Sequence, residues 1–123
     1  MKVIDMHTHI FPEKIAAKAT VATAEYFDLP EPPNHYGSTG ELLEVLRRAS
    51  IDYAMVFSAA TTAHQVEHIN RYILSQAREH PQLIPCGTLH AEYEGFREEL
   101  AWMRENGIFG VKLHPEFQHF VLD

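Results

Sequence analysis

What this sequence has little of narrows its reading first. It has one cysteine, Cys86. A single thiol cannot close an intramolecular bridge, so a disulfide scaffold is excluded. Within the run Leu83 to Leu89, Cys86 reads as a small buried hydrophobe. No apolar run approaches the roughly 18 residues of a membrane span. The first residues lack the charged region, apolar stretch and small-residue cleavage site of a signal peptide. The expectation is therefore a cytoplasmic protein with no membrane partner. Positive charge is also scarce: 10 Lys and Arg stand against 17 Asp and Glu, for a formal net charge of −7. Nucleic-acid phosphates call for clustered cations, so nucleic acid is not an expected partner. The sequence holds no G-x-S-x-G, no P-loop and no G-x-G-x-x-G, which removes the serine-hydrolase, nucleotide and dinucleotide readings that rest on them. There is no low-complexity tract.

What remains is an ordinary globular composition. The hydrophobic fraction is 46% over 123 residues, enough for one domain, residues 1–123, with a real core. The apolar run Val3 to Ile10 reads as a strand. Glu13 to Asp28 is Ala-rich and reads as a helix, with Ile15, Ala19, Ala22, Ala24 and Phe27 available for its apolar face. Three prolines among Leu29 to Asn34 end it, and the loop through Tyr36 is long enough to border a site. Ser38 and Glu41 fit a capping box ahead of a helix to about Ser50. Ile51 to Ser58 reads as a buried strand, and Val66 to Ala77 as a helix stopped by His80-Pro81. Leu83 to Leu89 is a third strand. Phe96, Leu100, Trp102 and Met103 mark a helix closed by Asn106-Gly107, and Ile108 to Leu113 is a fourth strand. Regular alternation of buried strands with helices predicts right-handed βαβ units and a parallel sheet.

Nine histidines are many for this length, and their placement matters more than their number. Strand side chains alternate faces, so His7 and His9 sit side by side, with Asp5 on the same face. Ile4, Met6 and Ile10 take the other face, the one a covering helix would bury. Two imidazoles fixed at a strand end suit a divalent metal. The fourth strand repeats this logic. Gly110, Lys112 and His114 share one parity, while Val111 and Leu113 take the other and are expected to pack under helices. His9, His90 and His114 thus fall at three of the four strand ends, where functional side chains gather in a parallel (β/α) barrel. His90 is either a site residue or an exposed loop residue. Lys112 has three readings open: an ion pair with Asp5, a metal-bridging carbamate, or a substrate-binding cation. Asp5 and Glu116 are the carboxylates available for acid–base work. His64-Gln65-Val66-Glu67-His68 matches H-x-x-E-H literally, but it opens a helix whose Val66, Ile69 and Ile73 indicate ordinary packing. A solvated helix start is the better reading.

Taken together, Ile4-Asp5-Met6-His7-Thr8-His9-Ile10-Phe11-Pro12, Gly37 to Ala49 with Ile51-Asp52, His64-Gln65-Val66 with Ile69-Asn70, Gly87-Thr88-Leu89-His90 and Gly110-Val111-Lys112-Leu113-His114-Pro115-Glu116-Phe117-Gln118 resemble the N-terminal half of an amidohydrolase-related protein. The branch is the metal-dependent hydrolases that include the aminocarboxymuconate-semialdehyde decarboxylase type. The resemblance implies a (β/α)8 TIM-type barrel, with His7 and His9 as metal ligands, most readily for Zn2+. It implies Lys112 and His114 at the site mouth as catalytic candidates, and Lys112 as a candidate for carboxylation. The implied reaction is hydrolysis of a small-molecule substrate at a carbonyl-type carbon by metal-activated water. Non-oxidative decarboxylation of a small unsaturated or aromatic acid is the alternative. A barrel of this kind needs about 250 residues, so about the first four β/α units are expected here. Further ligands would come from a C-terminal half or from a second copy in a homo-oligomer. A catalytically inactive, self-associating half-barrel is the reading from outside enzymology.

Overall fold

The computed structural model describes residues 1–30 and 34–121. Glu31, Pro32 and Pro33, in the loop expected to border the site, lie outside the described residues, as do Leu122 and Asp123. The element order is β1 (Ile4–His9), α1 (Glu13–Tyr26), α2 (Thr39–Ala49), β2 (Tyr53–Phe57), a 3-10 turn (Ala63–Gln65), α3 (Val66–Glu79), β3 (Leu83–Pro85), β4 (Gly87–Thr88), α4 (Phe96–Glu105), β5 (Val111–Lys112) and α5 (Pro115–Gln118). Every strand pairing is parallel, so the expected α/β class holds.

The strands pair in chain order, β1 with β2, β2 with β3, and β4 with β5. The single strand expected over Leu83 to Leu89 is in fact two short ones, separated at Cys86. The Cys86 N–H donates to Val56 O at 3.0 Å, towards β2, and the next N–H, of Gly87, donates to Gly110 O at 2.9 Å, towards β5. The chain changes ladder partner within one residue. Two glycines permit this. A Cβ on Gly87 would run into the Met103 sulfur, and one on Gly110 would stand 2.9 Å from Cys86 Sγ. A side chain at either position would force its neighbour to move. The fourth expected strand is likewise shorter than Ile108 to Leu113, pairing only at Val111–Lys112.

Local signals at the helix ends behave as expected. The Glu41 N–H donates to Ser38 Oγ at 3.3 Å and the Ser38 N–H donates to Glu41 Oε2 at 3.2 Å, completing the capping box. Gly107, just past α4, takes the left-handed conformation with φ +79°, which glycine adopts without penalty.

The main core is Ile10, Leu46, Ala54, Val56, Ile73 and Leu83, with a second cluster of Leu74, Met103 and Ile108 beneath α4. Four expectations about burial fail. Ile4 and Met6 are 45% and 58% exposed rather than covered, because β1 pairs only with β2 among the described residues and no described helix lies over that face. Val111 and Leu113, on or beside the edge strand β5, are exposed as well. On α4 the buried pair is Glu99 and Met103, four residues apart, while Phe96 and Leu100 stay exposed. On α1 the buried residue is Ala16, and Ile15 and Phe27 face outwards.

Candidate functional site

In parallel pairing the paired strands end on the same side, and His7, His9 and Lys112 meet there around Phe57. β1 delivers its histidines through an irregularity. Its register runs Ile4–Tyr53 and Asp5–Ala54, then Thr8–Val56 and His9–Phe57. Three residues of β1 thus span two of β2, the signature of a β-bulge, which re-aims side chains. Asp5 closes the bulge: its carboxylate accepts the His7 N–H at 3.0 Å. It is therefore engaged with the backbone, and the ion pair considered between Asp5 and Lys112 does not form. On the far side of the bulge, Thr8 Oγ1 donates to Met55 O at 2.7 Å and locks the strand to β2.

His7 and His9 converge. Their Nε2 atoms are 3.3 Å apart, with ring planes tilted by 43°. Both rings stand edge-on to Phe57, the last residue of β2, at 5.0 and 4.8 Å between centroids. The Lys112 ammonium lies 5.3 Å from the centre of the same ring. Phe57 is buried and forms the floor from which three polar groups rise. His9 has its pKa pushed down to about 4, first by desolvation, then by repulsion from the His7, Lys112 and His114 side chains. Phe57 and Phe11 flank the ring, and with its pKa this low it stays neutral at neutral pH.

The distance between the imidazoles allows a fit test for a metal. Two nitrogens bound at about 2.0–2.1 Å to one tetrahedral ion stand about 3.3–3.4 Å apart. His7 and His9 meet that spacing. Among the described residues, however, no group of three His, Cys, Asp or Glu side chains is placed to hold one ion. His114 is part of no such group.

His114 is held by α5, a one-turn helix the sequence reading did not anticipate. It is the N-cap residue: its Nδ1 accepts the Phe117 N–H at 3.4 Å, and its ring stacks on Phe117 with centroids 4.1 Å apart. His90 is buried rather than an exposed loop residue, and its Nδ1 accepts the Glu92 N–H at 3.2 Å. In the H-x-x-E-H stretch, His64, Glu67 and His68 are all exposed, and Glu67 accepts a bond from the Tyr93 hydroxyl at 2.7 Å. Burial keeps the Cys86 thiol above its usual pKa, in keeping with an inert core residue.

Behind the site lies a polar scaffold that sequence reasoning missed. Thr88 Oγ1 donates to Lys112 O at 2.9 Å, and the Ala60 N–H donates to Thr88 Oγ1 at 3.2 Å. Gln118 Nε2 donates to the carbonyls of Ala60 and Leu89 at 2.7 and 2.6 Å, while its Oε1 accepts the His114 N–H at 3.1 Å. One buried glutamine thereby ties together the loops after β2, β4 and β5.

No protein-family model matches this sequence, and no curated protein matches it. Among solved structures, the chain is similar to a probable 2-pyrone-4,6-dicarboxylic acid hydrolase from Acinetobacter baumannii, crystallised with citric acid bound, with a TM-score of 0.55 and 17% sequence identity. The match covers 90% of this chain but 37% of that one. At that identity the likeness is one of fold, and the chain spans little more than a third of the length of the solved hydrolase.

Proposed function

We propose that this chain is the N-terminal, metal-binding portion of a metal-dependent hydrolase of the amidohydrolase type, supplying about the first four β/α units of a (β/α)8 barrel. The observation that carries the reading is the 3.3 Å separation of the His7 and His9 Nε2 atoms at the C-terminal end of β1, the spacing two imidazoles take around one tetrahedral ion. Strand pairing in chain order and the fold of the solved hydrolase support the barrel.

His7 and His9 hold the ion, with Zn2+ the best fit to two neutral imidazoles. The chemistry such an ion supplies when bound is Lewis acidity, which lowers the pKa of a ligated water and polarises a carbonyl oxygen. Lys112 and His114 flank the pair and orient a small-molecule substrate. Phe57 excludes water from beneath the pair. The remaining ligands come from outside the described residues, either from further β/α units or from a second copy of the chain.

Elemental analysis of the purified protein, with zinc titration by calorimetry, tests this. Zinc should bind the wild-type chain and be lost from His7→Ala/His9→Ala. Unchanged metal content in the double variant would refute the assignment.

A further inference from the structure

Helix α1 is held to the molecule differently from its neighbours. Where α2 buries Leu46 and α3 buries Val66, Ile73 and Leu74, the buried residue of α1 is Ala16. The residues that continue its inner face, Ala19, Thr20, Thr23 and Ala24, are half-buried and small. Little apolar area leaves the water along the helix, so its two ends must hold it. At the start, the Phe11 N–H donates to Gly37 O at 2.8 Å and Thr20 Oγ1 donates to Tyr36 O at 2.6 Å. The Tyr72 hydroxyl donates to Phe11 O at 2.9 Å and ties this neck to α3. The neck stands beside His9, whose ring stacks on Phe11 with centroids 6.4 Å apart. At the far end the contacts are aromatic. The Tyr26 ring stands edge-on to Phe117 at 4.7 Å, and Phe27 lies 5.6 Å from Phe117 and 6.4 Å from His114. The Tyr26 hydroxyl is held above its usual pKa, first by desolvation and then by the Glu116 carboxylate beside it. A helix of 14 residues, about 21 Å long, thus runs from the end of β1 to the segment after β5, two strands that do not pair with each other. It bridges the strand ends that carry His9 and His114.

We propose that α1 is a lid over the mouth of the site, anchored at the Phe11–Gly37 neck and latched by Tyr26 and Phe27 on Phe117 and His114, and that the latch parts to admit a small-molecule substrate. This adds a gate to the site read above and rests on that reading for what passes it. Ring pairs at these separations each shift an equilibrium by about two- to tenfold. A latch of two such residues favours the closed state and still opens. Once released, a helix of this length is marginal in water, so its amides exchange with solvent.

Amide hydrogen exchange read by mass spectrometry on the metal-free chain tests this. In the wild type, α1 should exchange ahead of α2 and α3, through an opening of its own. Tyr26→Ala/Phe27→Ala should speed exchange in α1 about tenfold or more, while α2 and α3 stay within about twofold. Tyr26→Phe keeps the ring on Phe117 and should stay within about threefold of wild type. Carbethoxylation of the histidines gives a second readout. His114 should label severalfold faster in Tyr26→Ala/Phe27→Ala, while His68, already exposed on α3, labels as before. Wild-type exchange of α1 in the double variant, equal acceleration of all three helices, or unchanged labelling of His114 would overturn the lid. A chain that opens in this way but takes up no zinc overturns the metal reading instead, and zinc uptake with an α1 that never opens separately does the reverse.

Discussion

Asn70 and Thr88 bind each other reciprocally: the Thr88 N–H donates to Asn70 Oδ1 at 2.7 Å, and Asn70 Nδ2 donates to Thr88 O at 3.1 Å. Both residues are fully buried. A side-chain amide on α3 thus pairs with β4 much as a neighbouring strand would, at the place where the sheet changes ladder partner. Asn70 Nδ2 also donates to Glu99 Oε1 at 2.8 Å, so both amide protons are used.

Replacing Asn70 by Ala leaves a buried strand N–H and C=O without partners and takes a hydrogen bond from a buried carboxylate. A loss of about 2–4 kcal/mol is expected, read as a lower urea midpoint at unchanged slope.

Glu99 supports a second prediction. Its buried carboxylate receives both Arg71 terminal nitrogens, at 2.6 and 3.0 Å, and the guanidinium lies 3.3 Å from the centre of the Trp102 ring. Arg71→Ala should cost on the order of 2–3 kcal/mol, below the full value for a buried pair because the arginine is partly exposed. Arg71→Lys should rescue little of it, since an ammonium supplies neither the two-pronged geometry nor the flat stacking face. Chemical denaturation of the two variants side by side is the check, and full rescue by lysine would contradict this account.

Gly87 gives a third. Gly87→Ala drives a Cβ into the Met103 sulfur and to within 3.1 Å of Asn70 Oδ1. Overpacking of this kind costs about 1–3 kcal/mol. Combined with Met103→Ala, which opens the space, it should cost less than the sum of the single variants. Strict additivity in thermal unfolding would show that the contact with Asn70, rather than that with Met103, sets the cost.

These predictions rest on features with unequal visibility in the sequence. The capping box, the Gly107 stop and the His7–His9 convergence depend on near neighbours in the chain, and local rules carry them. The bulge in β1 left the histidine pair intact because both members lie at or beyond it, but it engaged Asp5 with the backbone. The division at Cys86 was invisible because it depends on how closely Gly87 and Gly110 approach other elements. Asn70 did leave a signal: it falls within the apolar stripe of Val66, Ile73 and Leu74, where a polar residue needs partners. Glu99 similarly shares a face with Met103. The open faces at Ile4, Met6 and Val111 contradict a pattern that assumed helices on every strand.

The pH dependence follows from His9. Its pKa lies at about 4 in the folded chain, lowered from 6.5 mainly by desolvation. Between those values the unfolded chain binds the proton and the folded chain does not, so protonation favours unfolding, and the stability contribution rises with pH across the window. Above about 6.5 both states are neutral and His9 adds no slope; as pH falls from there towards 4, stability is progressively lost. His9→Phe should flatten this part of the profile in denaturant titrations at a series of pH values, with proton NMR following the His9 ring in the wild type. For zinc the same sign is favourable: His9 presents a bare nitrogen well below neutrality, so its own proton should not compete with the metal until pH approaches 4. If His9 titrates near 6.5 in the metal-free chain, its crowding by Phe57, Lys112 and His114 is weaker than the geometry implies, and the pH profile of His9→Phe should then match the wild type.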